Sequence, residues 1–146
     1  MTNETSSTLN ELIQLLHDGE TFYNDAAQKV GSPYRDLFQR MARTKSAIAS
    51  ELGMHVTGQG DTPSESGTVM GKLRKTYADL RAGIGKNPEK IYVAQLEETE
   101  DRILEAFHSH LKESESTEVR SVLTRHLPEV QKMHNEMRAL KINLAA

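Results

Sequence analysis

Four separate stretches of this chain place apolar residues at the i, i+3, i+4 step of one helix face, and in the middle of two of them the step lands on a glutamate. One stripe runs Leu9, Leu12, Ile13, Leu16, Glu20, Tyr23, Ala27, Val30, and another runs Val93, Leu96, Glu100, Ile103, Phe107, Leu111. The remaining two are Tyr34, Leu37, Phe38, Met41, Lys45, Ile48, Ala49, Leu52, Val56, and Val119, Val122, Leu123, His126, Val130, Met133, Met137, Leu140. A helix with one apolar stripe must bury it against another element, so four of them predict an all-α bundle. A carboxylate on such a stripe costs several kcal/mol unless a partner answers it, so Glu20 and Glu100 are expected to share a buried polar layer.

The punctuation between stripes supports this division. Thr8 and Glu11 have capping-box spacing, which starts the first helix at the Leu9 stripe and leaves residues 1–7 disordered. That helix ends near Val30-Gly31, and Ser32-Pro33 then reads as an N-cap with proline in the first helical position. The polar, glycine-rich segment 57–67 ends the second helix and is expected to be a mobile loop. A shorter amphipathic piece follows, with Val69, Leu73, Tyr77 and Leu80 on one side and Lys72, Arg74, Lys75 and Arg81 elsewhere, closed by Gly83-Ile84-Gly85. Asn87-Pro88 opens the next long helix, and Ser116 or Thr117 caps the last, whose interior Pro128 removes one backbone bond and predicts a kink near Thr124. Residues 57–86 form a connection far longer than the few residues that join antiparallel neighbours. At about 1.5 Å per helical residue, it can return along the bundle and set the third long helix parallel to the second. The expectation is one domain over 1–146 with the single-crossover topology of ferritin-like four-helix bundles, the crossover carrying a short helix between helices two and three.

Composition excludes several classes. With 18 basic and 21 acidic residues interspersed along 146 positions, the net charge of -3 gives no nucleic-acid footprint. There is no cysteine, hence no disulfide, thiolate nucleophile or sulfur-bound zinc. The polar start MTNETSST lacks a signal-peptide pattern and no apolar run approaches the roughly 20 residues of a membrane span, so the chain reads as cytoplasmic. Gly58, Gly60, Gly83 and Gly85 follow no strand and form no phosphate loop, and no strand-loop context supports a hydrolase nucleophile.

The segments LNELIQLLHDGETFYNDAA, LFQRMARTKSAIASEL, LEETEDRILEAF and LPEVQKMHNEMRAL together resemble a bacterial family of ferritin-like four-helix-bundle proteins with no assigned function. The resemblance spans nearly the whole chain and implies a fold rather than a substrate. Di-iron members of the wider ferritin-like group use a Glu on each of two helices and Glu-x-x-His on the other two. This sequence departs from that pattern. Its second helix carries Lys45 in the central slot, with Glu51 and His55 at i, i+4 near the end, and its last helix offers Gln131 and His134 at i, i+3.

Two arrangements of the buried acids therefore stand open. In the first, a metal-free polar layer joins Glu20, Lys45, Glu100, His126 and Tyr23, and the protein is a non-enzymatic accessory or stress-associated bundle acting through its surface. In the second, Glu20, Glu97, Glu100 and His134 hold iron or another divalent cation; His134 is preferred to His126 on the resemblance. Met133 and Met137 read as core filler. A homo-oligomer or a protein partner is expected at the short crossover helix, whose apolar side is surplus to a four-helix core.

Overall fold

The computed structural model describes residues 3–85 and 87–145; at positions 69 and 84 it describes backbone alone. Five helices follow one another: α1 (Glu4–Lys29), α2 (Tyr34–Gly58), α3 (Val69–Ile84), α4 (Pro88–Glu113) and α5 (Thr117–Ala145). No strand occurs among the described residues, and the architecture is an all-α helical bundle.

Local chemistry sets most of the ends. α1 starts earlier than the Thr8 capping box implies, because the Asn3 carboxamide accepts from the Ser6 amide at 2.8 Å and caps the helix at Glu4. Residues 4–7 are therefore helical, which corrects the expected disorder of that segment; residues 1 and 2 lie outside the described residues. Pro33 occupies the cap position of α2 instead of its first turn. α4 starts at Pro88 as the sequence implies, although the Asn87 side chain at its cap position makes no capping bond, and the Ser116 hydroxyl caps α5 by accepting from Val119 N at 3.2 Å. Pro128 is accommodated inside a continuous helix.

α1 packs chiefly on α2, α4 packs chiefly on α5, and α1–α4 and α2–α5 contacts join the two pairs. Contacts between helix ends fix the directions. The start of α1 meets the far end of α4 through Glu11 and His110 at 3.2 Å, while the end of α2 meets the start of α5 through His55 and Glu118 at 3.0 Å. Each adjacent pair is thus antiparallel, and α2 and α4 run in the same direction. The stripes converge on a core in which Leu9, Leu12, Leu16, Tyr23, Phe38, Met41, Leu52, Val93, Phe107, Val119 and Met137 are closed to solvent.

The connection from α2 to α4 returns along α1. Asn10 donates to the Thr62 carbonyl at 3.2 Å and accepts from Ser64 N at 2.8 Å, which lays the segment on the α1 surface. Asp18, a buried carboxylate of α1, then accepts from both the amide and the hydroxyl of Thr68, at 2.8 and 2.7 Å. The same Thr68 hydroxyl oxygen caps α3 by accepting from Gly71 N at 2.9 Å. Glycine is required at positions 67 and 71, since a Cβ there would lie 2.0 Å and 2.3 Å from the Asp18 carboxylate.

α3 docks on α4 and α1 by a face other than the one its large residues suggest. Gly71, Ala78 and Ala82 turn inward, whereas Met70, Leu73, Tyr77 and Leu80 are each 58–63% exposed. Small side chains let α3 approach closely, and the ion pairs Lys29–Asp79 at 2.9 Å and Lys75–Asp25 at 3.3 Å then tie it to the end of α1. The Val69 side chain of the predicted stripe lies outside the described residues.

Candidate functional site

At the bundle midpoint α1, α2, α4 and α5 each send one side chain to a single point. Lys45 of α2 and Glu100 of α4 are both 0% exposed, and the ammonium donates to Glu100 Oε1 at 2.7 Å. The Tyr23 hydroxyl of α1 donates to Glu100 Oε2 in a short hydrogen bond, so each carboxylate oxygen has its own donor. Lys45 Nζ further contacts Met133 Sδ of α5 at 3.2 Å and lies 5.5 Å from the centre of the Tyr23 ring. The soft sulfur and the ring face complete the ammonium's surroundings without adding charge.

Gly19 explains how a lysine reaches this depth. A Cβ at that position would lie 3.1 Å from Lys45 Cε and 3.2 Å from Cδ, so the bare backbone of α1 is the groove through which the lysine stem passes. Gly19 therefore occupies the central slot of the α1 stripe, and Glu20 is displaced to its edge.

Electrostatics follow from the dry surroundings. Burial disfavours the charged ammonium and lowers the Lys45 pKa below its ordinary value, an effect that the adjacent Glu100 charge opposes. Burial, reinforced by the Glu100 charge and hydrogen bond, holds the Tyr23 hydroxyl well above its ordinary value, so it remains a donor throughout the neutral range.

The structure brings together Lys45, Glu100 and Tyr23 and separates the other candidates. Glu20, expected in this layer, is instead 30% exposed beside His17 at 3.5 Å on the helix flank. His126 also lies elsewhere: it precedes Met133 by seven residues, about 10 Å along α5. There it faces Glu51 of α2, with Nε2 2.8 Å from a carboxylate oxygen in poor hydrogen-bond alignment. Burial lowers the His126 pKa, and the nearby Glu51 charge counters it. Glu97 is buried, but it turns away from Glu100 toward α5, where Lys141 Nζ lies at 3.3 Å. His134 meets Asp101, which sequence reading did not single out.

A di-iron centre at the midpoint does not fit these residues. Such a centre needs several carboxylates converging from four helices, whereas the one carboxylate here, Glu100, already has both oxygens satisfied by an ammonium and a phenol. Lys45 holds the position at which a first cation would have to meet Glu100.

Residues 4–113 match the protein family described as a domain of unknown function, DUF2383. The chain belongs to that family. The DUF2383 match covers α1 to α4 and so includes Tyr23, Lys45 and Glu100, and it ends before α5. No curated protein matches the chain.

Among the described residues no helix is long and apolar enough to cross a membrane. The described surface does contain a groove of about 810 Å³ between α3 and α4, lined in part by Leu73, Tyr77, Ala78, Ile91 and Ala94. Leu73 and Tyr77 thus belong both to the outward face of α3 and to the wall of this groove.

Proposed function

We propose that this DUF2383 protein is a non-enzymatic accessory bundle of ferritin-like topology that works by holding an amphipathic helix of another protein in the α3–α4 groove. One observation carries this reading: α3 docks by glycine and alanine and leaves Met70, Leu73, Tyr77 and Leu80 in water as a stripe of helical spacing. Leaving a large apolar side chain exposed forgoes about 1.5–3 kcal/mol of burial, so four of them on one face constitute a substantial reserve for association. The midpoint layer supplies rigidity in this account. It offers no unsatisfied group to a substrate, since both Glu100 oxygens and the Lys45 ammonium are engaged with one another and their neighbours.

The groove's rim sets the partner's chemistry. Its lining carries charges of both signs, but Glu98, Glu97 and Asp101 already meet Arg74, Lys141 and His134, which leaves Arg81 and Lys90 as the cations that acidic residues beside a partner helix's apolar stripe would face. A second copy of α3 is a poorer match, because it brings Lys72, Arg74, Lys75 and Arg81 against the same cations.

A photo-crosslinking residue at Leu73 tests this in cells. The expected adduct is with an acidic amphipathic helix of another protein, and Tyr77→Glu/Leu80→Glu should abolish it. Those side chains are exposed, so each change should alter folding stability by no more than about 0.5 kcal/mol. An adduct that survives the double substitution, or one confined to a second copy of this chain, contradicts the proposal.

A further inference from the structure

On the flank of the bundle, one turn from the buried layer, Glu97 and Asp101 of α4 and His134 of α5 each present a potential ligand atom, all within 4.8 Å of one another. We propose that these three side chains form a binding site for a divalent first-row transition cation, separate from the midpoint layer and at the edge of the α3–α4 groove.

Three features of the geometry support this assignment. The first is spacing: Glu97 and Asp101 are i, i+4 on one helix, which stacks their carboxylates one turn apart, and the antiparallel α5 delivers His134 between them. Two carboxylate oxygens with one imidazole nitrogen form a mixed set suited to Mn²⁺, Fe²⁺, Co²⁺ or Zn²⁺, whereas Mg²⁺ and Ca²⁺ favour oxygen alone.

The second is the orientation of the imidazole. His134 Nδ1 lies 3.2 Å from Asn135 Oδ1, which also accepts from Gln131 Nε2 at 3.0 Å, while His134 Nε2 directly contacts an Asp101 carboxylate oxygen. Both ring nitrogens therefore face acceptors. With a cation at Nε2, the ring keeps its single N–H at Nδ1, where Asn135 Oδ1 stands ready to accept it. An outer donor bond from the far ring nitrogen to an oxygen is the usual way a metal-bound histidine is oriented.

The third is the setting of Glu97. Its carboxylate is only 4% exposed, and its cationic contacts come from the rim: Lys141 Nζ at 3.3 Å and Arg138 Nη1 at 3.9 Å. Lys141 is half exposed and free to swing outward, so a cation can take its place against a carboxylate that is already largely desolvated. A metal held at about 2.0–2.2 Å from each ligand parts His134 from Asp101 slightly and draws Glu97 inward. Glu97, Asp101 and Lys141 also line the groove, which leaves the remaining coordination positions open on that side.

Calorimetric titration of the full chain with Co²⁺ or Zn²⁺ alone tests the site. One saturable site per chain is expected, weakened about tenfold or more by His134→Ala and by Asp101→Asn, on the scale by which the ligand environment sets affinity. Lys141→Met should strengthen binding by removing the competing cation, an effect that a purely structural ion-pair cluster would not show. In the unmutated chain, Mn²⁺ should broaden the NMR signals of the His134 ring before those of His17, His55, His108, His110 or His126. This measurement does not depend on any variant folding. Absence of saturable binding in both the wild type and Lys141→Met, affinity unchanged by His134→Ala, or broadening that begins at another histidine would each overturn the proposal.

Discussion

Lys45→Met should destabilise the protein by about 3–5 kcal/mol, because it leaves the Glu100 carboxylate fully buried with only the Tyr23 hydroxyl to answer its charge. The cost belongs to the orphaned charge, not to the loss of a favourable pair. Replacing the whole layer at once, with Tyr23→Phe, Lys45→Met and Glu100→Leu, should therefore recover the loss and leave stability near or above wild type by up to about 4 kcal/mol. Tyr23 must be included, since its hydroxyl would otherwise be stranded in an apolar core. Chemical denaturation of the single and triple variants measures both quantities. If Lys45→Met costs less than about 1 kcal/mol, Glu100 is not held as an isolated ion in the core and the layer has been misassigned.

The second large effect concerns the crossover. Asp18→Ala removes two hydrogen bonds to an ionised acceptor, each worth about 1.5–3 kcal/mol, and strands the Thr68 amide and hydroxyl that it now satisfies. The opening free energy of α3 should fall by about 3 kcal/mol, which speeds exchange of the Gly71 amide and its helical neighbours roughly a hundredfold. Core amides near Leu52 and Phe107 should exchange as before, because the four long helices keep their mutual contacts. Uniform acceleration across the chain would show that α3 unfolds only with the bundle, and an unchanged α3 would show that Asp18 does not anchor it.

These two sites differ in how far the sequence reveals them. Lys45 and Glu100 are legible because each interrupts a long apolar stripe with a charge, and opposite charges at matching depths on different helices imply one another. Glu20 misleads for a specific reason. Helical spacing cannot distinguish positions 19 and 20 as the centre of the α1 stripe, and a glycine carries no apolar signal of its own, yet Gly19 is where the lysine stem passes. The same blindness to small residues inverts α3: Leu73, Tyr77 and Leu80 look like its buried side, while Gly71, Ala78 and Ala82 make the contact.

Asp18 and Asp101 are harder still to read. Neither lies on an apolar stripe, and each gains its role from a neighbour distant in sequence, Thr68 in one case and His134 in the other. For Asp101 a weak signal existed in its i, i+4 spacing from Glu97, but nothing along one helix shows which edge of α5 will face it. The helix ends are legible where the residue itself encodes them, as at Pro88 by its ring and at Ser116 by its hydroxyl. α1 was misread because Asn3 and Thr8 are both competent caps, and the earlier one gives the longer helix.

A lysine ammonium, ion-paired and closed to water, occupies the middle of this bundle. Nitrogen-15 NMR of the Lys45 side chain reads its state at the atom concerned. The expected result is ammonium protons shielded from exchange with water, deprotonation below the ordinary lysine range because burial disfavours the charge, and a signal that added Fe²⁺ does not displace. A Lys45 signal exchanging as freely as that of an exposed lysine, or one lost stoichiometrically as Fe²⁺ is added, would contradict it.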